Sequence, residues 1–197
     1  MIIQKIVSGK LDNNTYVVAN NKNECVIIDA SCSVEELKKT VGEKQVLAVL
    51  LTHGHYDHFI NLDNILTEYP QIKCFVYQTE LEKLYSPKLN YSIIFNNFFT
   101  TKLDESRFEK IQDGQEFSIG SFNIKVILTK GHTDGSVCYL INNAYLFTGD
   151  TLFLGTHGRT DLLTGSSSHM QKSLRFISKN FKGLPFYAGH GDDGIVE

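Results

Sequence analysis

Val46-Leu47-Ala48-Val49-Leu50-Leu51-Thr52-His53-Gly54-His55-Tyr56-Asp57-His58 sets an apolar hexapeptide directly ahead of four side chains able to bind a metal. The apolar run is short and continuous, which reads as a strand buried on both faces, and Thr52 and Gly54 break it. Beyond Asp57 the positions Phe59, Leu62, Ile65, Leu66 and Tyr69 have helical spacing and stop before Pro70, predicting one helix that starts near Asp57 and His58. Strand end, turn and helix start therefore share one short segment, and its side chains can converge. Crowded imidazoles and a carboxylate compete for hydrogen bonds unless a metal resolves the conflict. The plain alternative is a turn of surface histidines.

Ligand types recurring downstream weigh against that alternative. His132 lies in Thr129-Lys130-Gly131-His132-Thr133-Asp134-Gly135-Ser136, between the strand-like runs Phe122 to Leu128 and Val137 to Ile141. Asp150 closes Tyr145-Leu146-Phe147-Thr148-Gly149-Asp150, where glycine frees the backbone to turn. His190, in Ala188-Gly189-His190-Gly191, follows the apolar Leu184 to Tyr187. Each taken alone is an ordinary turn residue. Together they bring the set to five histidines and two aspartates, each expected at a sheet edge.

The succession H-G-H-Y-D-H, G-H-T, G-D-T and G-H-G resembles the metallo-β-lactamase superfamily. Gly149-Asp150-Thr151-Leu152-Phe153, with Gly158-Arg159-Thr160-Asp161 after it, looks like the glyoxalase II (hydroxyacylglutathione hydrolase) branch in a short, single-domain form. The likeness runs from Asn14-Thr15-Tyr16 to Gly191. It implies an α/β fold, a four-layer αββα sandwich. It also implies two divalent metal ions: one held by His53, His55 and His132, the other by Asp57, His58 and His190, with Asp150 bridging. Five imidazoles and two carboxylates suit zinc first, and iron or manganese as well.

Three departures from the family pattern bear on the cleft rather than on the metals. Full-length glyoxalase II adds a helical carboxy-terminal domain whose basic residues help hold glutathione, whereas here Asp192 to Glu197 follows the last motif. Lys130 stands where proline is expected before Gly131, and Phe59-Ile60-Asn61 replaces small residues.

Composition is compatible with this reading. With 197 residues, 42% of them hydrophobic, one domain with a sizeable core is the expectation. The amino terminus begins as strand-like sequence without a charged region and long apolar region, so a cytoplasmic protein is expected, with no membrane partner. Cys25, Cys32, Cys74 and Cys138 lack metal-binding spacing and read as buried, reduced thiols. A formal charge of −3, with no basic stripe, argues against a nucleic-acid partner.

Further strands are expected over Ile2 to Val7, Tyr16 to Asn20, Cys25 to Asp29, Cys74 to Tyr77 and Gln115 to Ile119. Helices are expected at about Val34 to Val41, Glu80 to Leu84 and Met170 to Asn180, the last with Ser168 as candidate N-cap. The segment Tyr85 to Leu103 carries Tyr85, Tyr91, Phe95, Phe98 and Phe99 without periodicity. It reads as a long connection whose rings cover the core, wall a substrate cleft, or permit an oligomer.

The resemblance implies a metal-dependent hydrolase, above all a thioesterase acting on a small-molecule thioester such as S-lactoylglutathione, with Asp57 both binding metal and orienting the attacking hydroxide. A thiolate leaves without the proton an amine requires, and no dedicated acid stands near the motifs. The rival readings are a mononuclear-iron persulfide dioxygenase, a lactonase or β-lactamase, and a noncatalytic metal-stabilised binding module. Asp29 is a candidate to orient a ligating imidazole, and Arg159 or Asp161 to organise the Asp150 loop. His157 is a loop residue able to approach the cleft, and His169 belongs to the surface at a helix start.

Overall fold

The computed structural model describes residues 1–197. One sheet runs in sequence order through β1 (Ile2–Ser8), β2 (Asn13–Ala19), β3 (Glu24–Ile28), β4 (Gln45–Leu50), β5 (Lys73–Tyr77) and β6 (Phe108–Ile111). The other orders β7 (Glu116–Ile119), β8 (Phe122–Leu128), β9 (Val137–Ile141), β10 (Tyr145–Gly149), β11 (Pro185–Ala188) and β12 (Gly194–Ile195) likewise. Both sheets are mixed. β3 to β6 are mutually parallel, as are β10 and β11, while the remaining pairs are antiparallel.

The alternation of side chains along the strands explains the layering. In β2, Tyr16 and Val18 join a cluster shared with Val126, Tyr139 and Phe147 of the second sheet, whereas Val17 and Ala19 face the opposite way. That outer cluster receives Leu37 and Val41 from α1 (Val34–Val41), Phe59 from α2 (Tyr56–Phe59), Leu62, Ile65 and Leu66 from α3 (Leu62–Glu68), and Leu81 and Leu84 from α4 (Leu81–Leu84). Behind the second sheet, Cys138, Leu140 and Leu146 pack on Ile177 of α5 (Ser167–Phe181). The result is the expected αββα sandwich. No helix is long and apolar enough to cross a membrane.

Two local expectations need correction, and two strands had no expectation at all. The helix expected from Asp57 to Tyr69 is two helices, because Asn61 turns its backbone N–H to Ala30 O (2.9 Å) and its amide to Ser31 O (2.7 Å). Those bonds to the loop after β3 interrupt the helical ladder. The N-cap of α5 is Ser166, whose backbone is extended and whose hydroxyl accepts from His169 N–H, while Ser168 already lies inside the helix. β6 and the two-residue β12 carry no apolar alternation long enough to announce them, and only sheet pairing defines them.

Candidate metal centre

Parallel strands bring their carboxyl ends to one edge, and loops leaving that edge deliver every expected ligand. His53 and His55 follow β4, Asp57 and His58 lie in α2, His132 sits between β8 and β9, Asp150 follows β10, and His190 follows β11. The turn at Asp150 needs Gly149, which adopts φ +48° with Thr52 Oγ1 only 2.6 Å from where a Cβ would stand. Asn14, at the start of β2, clamps the His190 loop by donating its N–H to Gly189 O (2.7 Å) and its amide to Ala188 O (2.9 Å) and Gly191 O (3.0 Å).

The seven side chains form overlapping groups of donor atoms within 4.8 Å of one another: His53, His55 and His132; His53, His58 and Asp150; Asp57, His58 and His190. In the first group His55 Nδ1 is 3.1 Å from His53 Nε2 and 2.8 Å from His132 Nε2. In the last, Asp57 Oδ2 is 3.3 Å from His190 Nε2 and 3.7 Å from His58 Nε2. Asp150 lies between the halves, 3.3 Å from His58 Nε2 through one oxygen, and 3.3 Å from His132 Nε2 and 3.6 Å from His190 Nε2 through the other.

Outward bonds fix how the rings point. His58 Nδ1–H donates to Asp29 Oδ2 (2.8 Å), His132 Nδ1–H to Arg159 O (2.8 Å) and His190 Nδ1–H to Leu11 O (2.9 Å). His53 Nδ1–H meets Thr52 Oγ1 (3.1 Å), which itself donates to Asp29 Oδ2 (2.9 Å). Four rings thereby turn Nε2 inward, the arrangement found for ligating imidazoles. Asp29, the sequence's candidate to orient an imidazole, makes that contact with His58 from a left-handed backbone (φ 59°). The Asp150 loop differs from expectation. Arg159 and Asp161 pair with each other in solvent (2.7 Å), and it is the Arg159 carbonyl that reaches the site.

Charge divides the centre. Burial first, then neighbouring imidazoles, hold His53 and His55 well below the usual imidazole range. Burial also opposes charge on His58, yet Asp150, Asp57 and Asp29 outweigh it and raise its pKa well above the usual value. Burial also opposes charge on Asp57 and Asp150, yet His58 and His190, joined at Asp150 by His132, together outweigh it and hold both carboxyls low. The protein alone does not satisfy this cluster. His55 Nε2, His58 Nε2 and Asp150 Oδ1 are buried without a hydrogen-bond partner, a costly state that a cation relieves at the latter two. The donor set and its unpaired atoms fit divalent metal.

The cluster opens into a cleft of about 340 Å³. Leu11, Tyr91, Ile94, Phe95, Phe153 and Leu162 wall it, and Arg159 is its single Lys or Arg. Tyr91 stacks edge-on against His55 (5.2 Å between centroids), has a left-handed backbone (φ 63°), and accepts the Leu163 N–H at its hydroxyl. The aromatic segment thus supplies cleft wall through Tyr91 and Phe95, and core cover through Phe99, which packs on Phe59. His157 does not enter the cleft. It lines a separate apolar cavity of about 530 Å³ with Leu174, Ile177 and Phe186. His169 is exposed at the start of α5, and all four cysteines are buried and unpaired. Leu11 carried no signal in the sequence beyond being an apolar residue in a turn, and Phe153 stood out only within the Gly149–Phe153 likeness, with no role assigned to it.

The sequence pattern of the metallo-β-lactamase superfamily matches residues 8–191, and the chain belongs to that superfamily. Among its relatives, the probable metallo-hydrolase YqgX of Bacillus subtilis (strain 168) is 31% identical over 195 residues, covering 95% of this chain and 89% of the relative. The hydroxyacylglutathione hydrolase of Salmonella arizonae is 31% identical over 168 residues, 85% of this chain but 57% of that enzyme. The chain therefore spans little more than half the length of that relative. The crystal structure of BLEG-1 B3 metallo-β-lactamase superimposes with a TM-score of 0.92 at 30% identity, covering 99% of this chain and 94% of the other.

Proposed function

We propose that the protein is a binuclear metal-dependent hydrolase of the glyoxalase II type, cleaving small S-acylglutathione-like thioesters such as S-lactoylglutathione. In this reading His53, His55 and His132 hold one ion, Asp57, His58 and His190 the other, and Asp150 both. The observation that carries it is the convergence of all seven donors, with buried atoms that make no hydrogen bond within the protein. Zinc, or iron or manganese in the same ligands, would supply a nucleophilic hydroxide at neutral pH and positive charge for a developing acyl oxyanion.

Asp57 has a further part to play. Its Oδ2 faces both His58 and His190 and its side chain is partly open to the cleft, so its carboxylate would accept a hydrogen bond from the attacking water and orient it. The cleft walls favour a thiolate leaving group. Outside the ligand set they contain no imidazole or carboxylic acid able to protonate an amine, and a thiol is acidic enough to leave unprotonated. Tyr91 and Phe95 exclude water from one side, and the lone Arg159 offers a cation at the mouth.

The close likeness to a B3 metallo-β-lactamase supports a second reading, hydrolysis of a strained cyclic amide at the same centre. The initial rate on S-D-lactoylglutathione, measured for the metal-replete protein and for Asp57→Ala beside a chromogenic β-lactam, separates the two. Thioester cleavage abolished in the variant is the expected result. Cleavage of the β-lactam alone establishes the second reading. Inactivity on both, with oxygen uptake on a persulfide, replaces hydrolysis by oxygenation.

A further inference from the structure

His53 and His55 come from the first sheet and His132 from the second, so their meeting depends on how two independent loops are held together. A side chain outside the ligand set joins them. β5 lies parallel beside β4, and its carboxyl end delivers Glu80, at the start of α4, to the edge from which His53 emerges. Glu80 is fully buried. Its Oε2 accepts the N–H of Gly54 (2.7 Å), the residue between His53 and His55. Its Oε1 accepts the hydroxyl of Thr133 (2.9 Å), the residue after His132.

Lys83 completes the connection. Its ammonium, also buried, donates to Glu80 Oε1 (2.7 Å), to Thr79 O (3.1 Å) and to Asp134 Oδ1 (2.6 Å). The His132 loop is thus held twice, through Thr133 and through Asp134. The glycines of both loops carry the imprint of this contact. A Cβ on Gly54 would stand 2.8 Å from Lys83 Cβ and 2.9 Å from Glu80 O, and one on Gly135 would stand 2.5 Å from Glu80 Oε1. Glycine at both positions leaves the room in which Glu80 and Lys83 approach the two loops.

We propose that Glu80 is the positioning residue of the His53–His55–His132 ion site: it sets the distance between the two ligand loops, while the Asp57–His58–His190 site, oriented by Asp29, does not depend on it. The proposal rests on the reading of these residues as metal ligands. Only a carboxylate suits the position, because both oxygens must accept. A glutamine has one acceptor, so its amide N–H would face the N–H of Gly54, or the hydroxyl of Thr133 together with the Lys83 ammonium. Partners that orient metal ligands typically change metal affinity by roughly 10–100-fold.

The test is zinc titration of the stripped full-length chain against a chromophoric chelator. It compares the wild type, Glu80→Gln, Thr133→Val, and Val41→Ala as a core substitution remote from both loops, with melting temperatures measured in parallel. Thr133→Val removes one strap and leaves the buried ion pair intact, so it keeps the test open if Glu80→Gln fails to fold. The expected result is two zinc ions in the wild type, and one of them weakened by about 10-fold or more in Glu80→Gln. Thr133→Val should show a smaller selective loss, and Val41→Ala none despite a lower melting temperature. Two affinities within twofold of wild type in Thr133→Val and in any folded Glu80→Gln overturn the proposal, as does equal weakening of both ions. A wild type that binds no zinc, iron or manganese overturns the metal-centre reading itself.

Discussion

Asp29 Oδ2 accepts the Nδ1–H of His58 at 2.8 Å, and the same carboxylate accepts both the N–H and the hydroxyl of Thr52, at 2.8 and 2.9 Å. One side chain at the end of β3 therefore aims His58 directly and His53 through Thr52. Its left-handed backbone is a strained conformation kept at the point where three donors converge.

Asp29→Asn should reduce metal affinity by roughly 10–100-fold, since an amide cannot accept from all three donors and presents its own N–H to one of them. Competition with a chelator of known affinity measures this. Unchanged affinity would show that His58 needs no such partner.

Asp57→Ala should lower kcat on a thioester substrate by at least about 100-fold, by removing both an ion ligand and the acceptor that orients the nucleophile. Near-normal turnover in a metal-loaded variant would sink the role assigned to Asp57.

Removing metal should destabilise the chain, because binding to the native state alone adds about 4 kcal/mol at a thousandfold excess over Kd. For a chain of this size that corresponds to a fall in Tm on the order of 10 °C on chelation. A melting curve indifferent to chelator would mean that the donor cluster carries no ion.

Tyr91→Phe removes the hydroxyl that accepts the Leu163 N–H across the cleft mouth. The wall stays apolar but loses its strap, so KM should rise several-fold with kcat nearly kept. A change in kcat with KM untouched would place Tyr91 in the chemistry rather than in the wall.

The thiols should be inert in the folded protein. Burial pushes Cys25 and Cys32 up to about 11 and Cys138 up to about 12, and Cys74 is raised as well. At pH 8 a thiol of pKa 11 is ionised to only about one part in a thousand, and access is closed too. Ellman's reagent should find none before denaturation and four after it, with reactivity rising as pH is raised. A fast-reacting thiol at pH 8 would contradict the burial of these side chains.

The candidate ligands were legible in the sequence because most of them follow a strand whose apolar run is short, bounded and buried, and Asp57 and His58 open the helix just beyond one. Val46 to Leu51 and Val137 to Ile141 announce themselves by composition, and glycine or threonine marks the turn after them. The break at Asn61 was not legible, since the apolar spacing continues across it and the cause is a pair of bonds to Ala30 and Ser31 on a distant loop. The same holds for the His132 partner. Arg159 drew attention by its charge, but the carbonyl it contributes has no side-chain signature.

The sequence by itself determined the candidate donors and the strand ends that carry them, because periodicity and turn chemistry are local properties of the chain, while the sandwich followed from the family likeness that those motifs carry. Tertiary structure alone decided how those ends meet. Glu80 reads as an unremarkable acid before a short helix until β5 is seen beside β4, and Tyr91 as one ring among several until the segment folds over His55. The physical reason is that a hydrogen bond between residues far apart in sequence leaves no periodic trace. It depends on the register of parallel strands, and that register is fixed only when two sheets close on their shared apolar core.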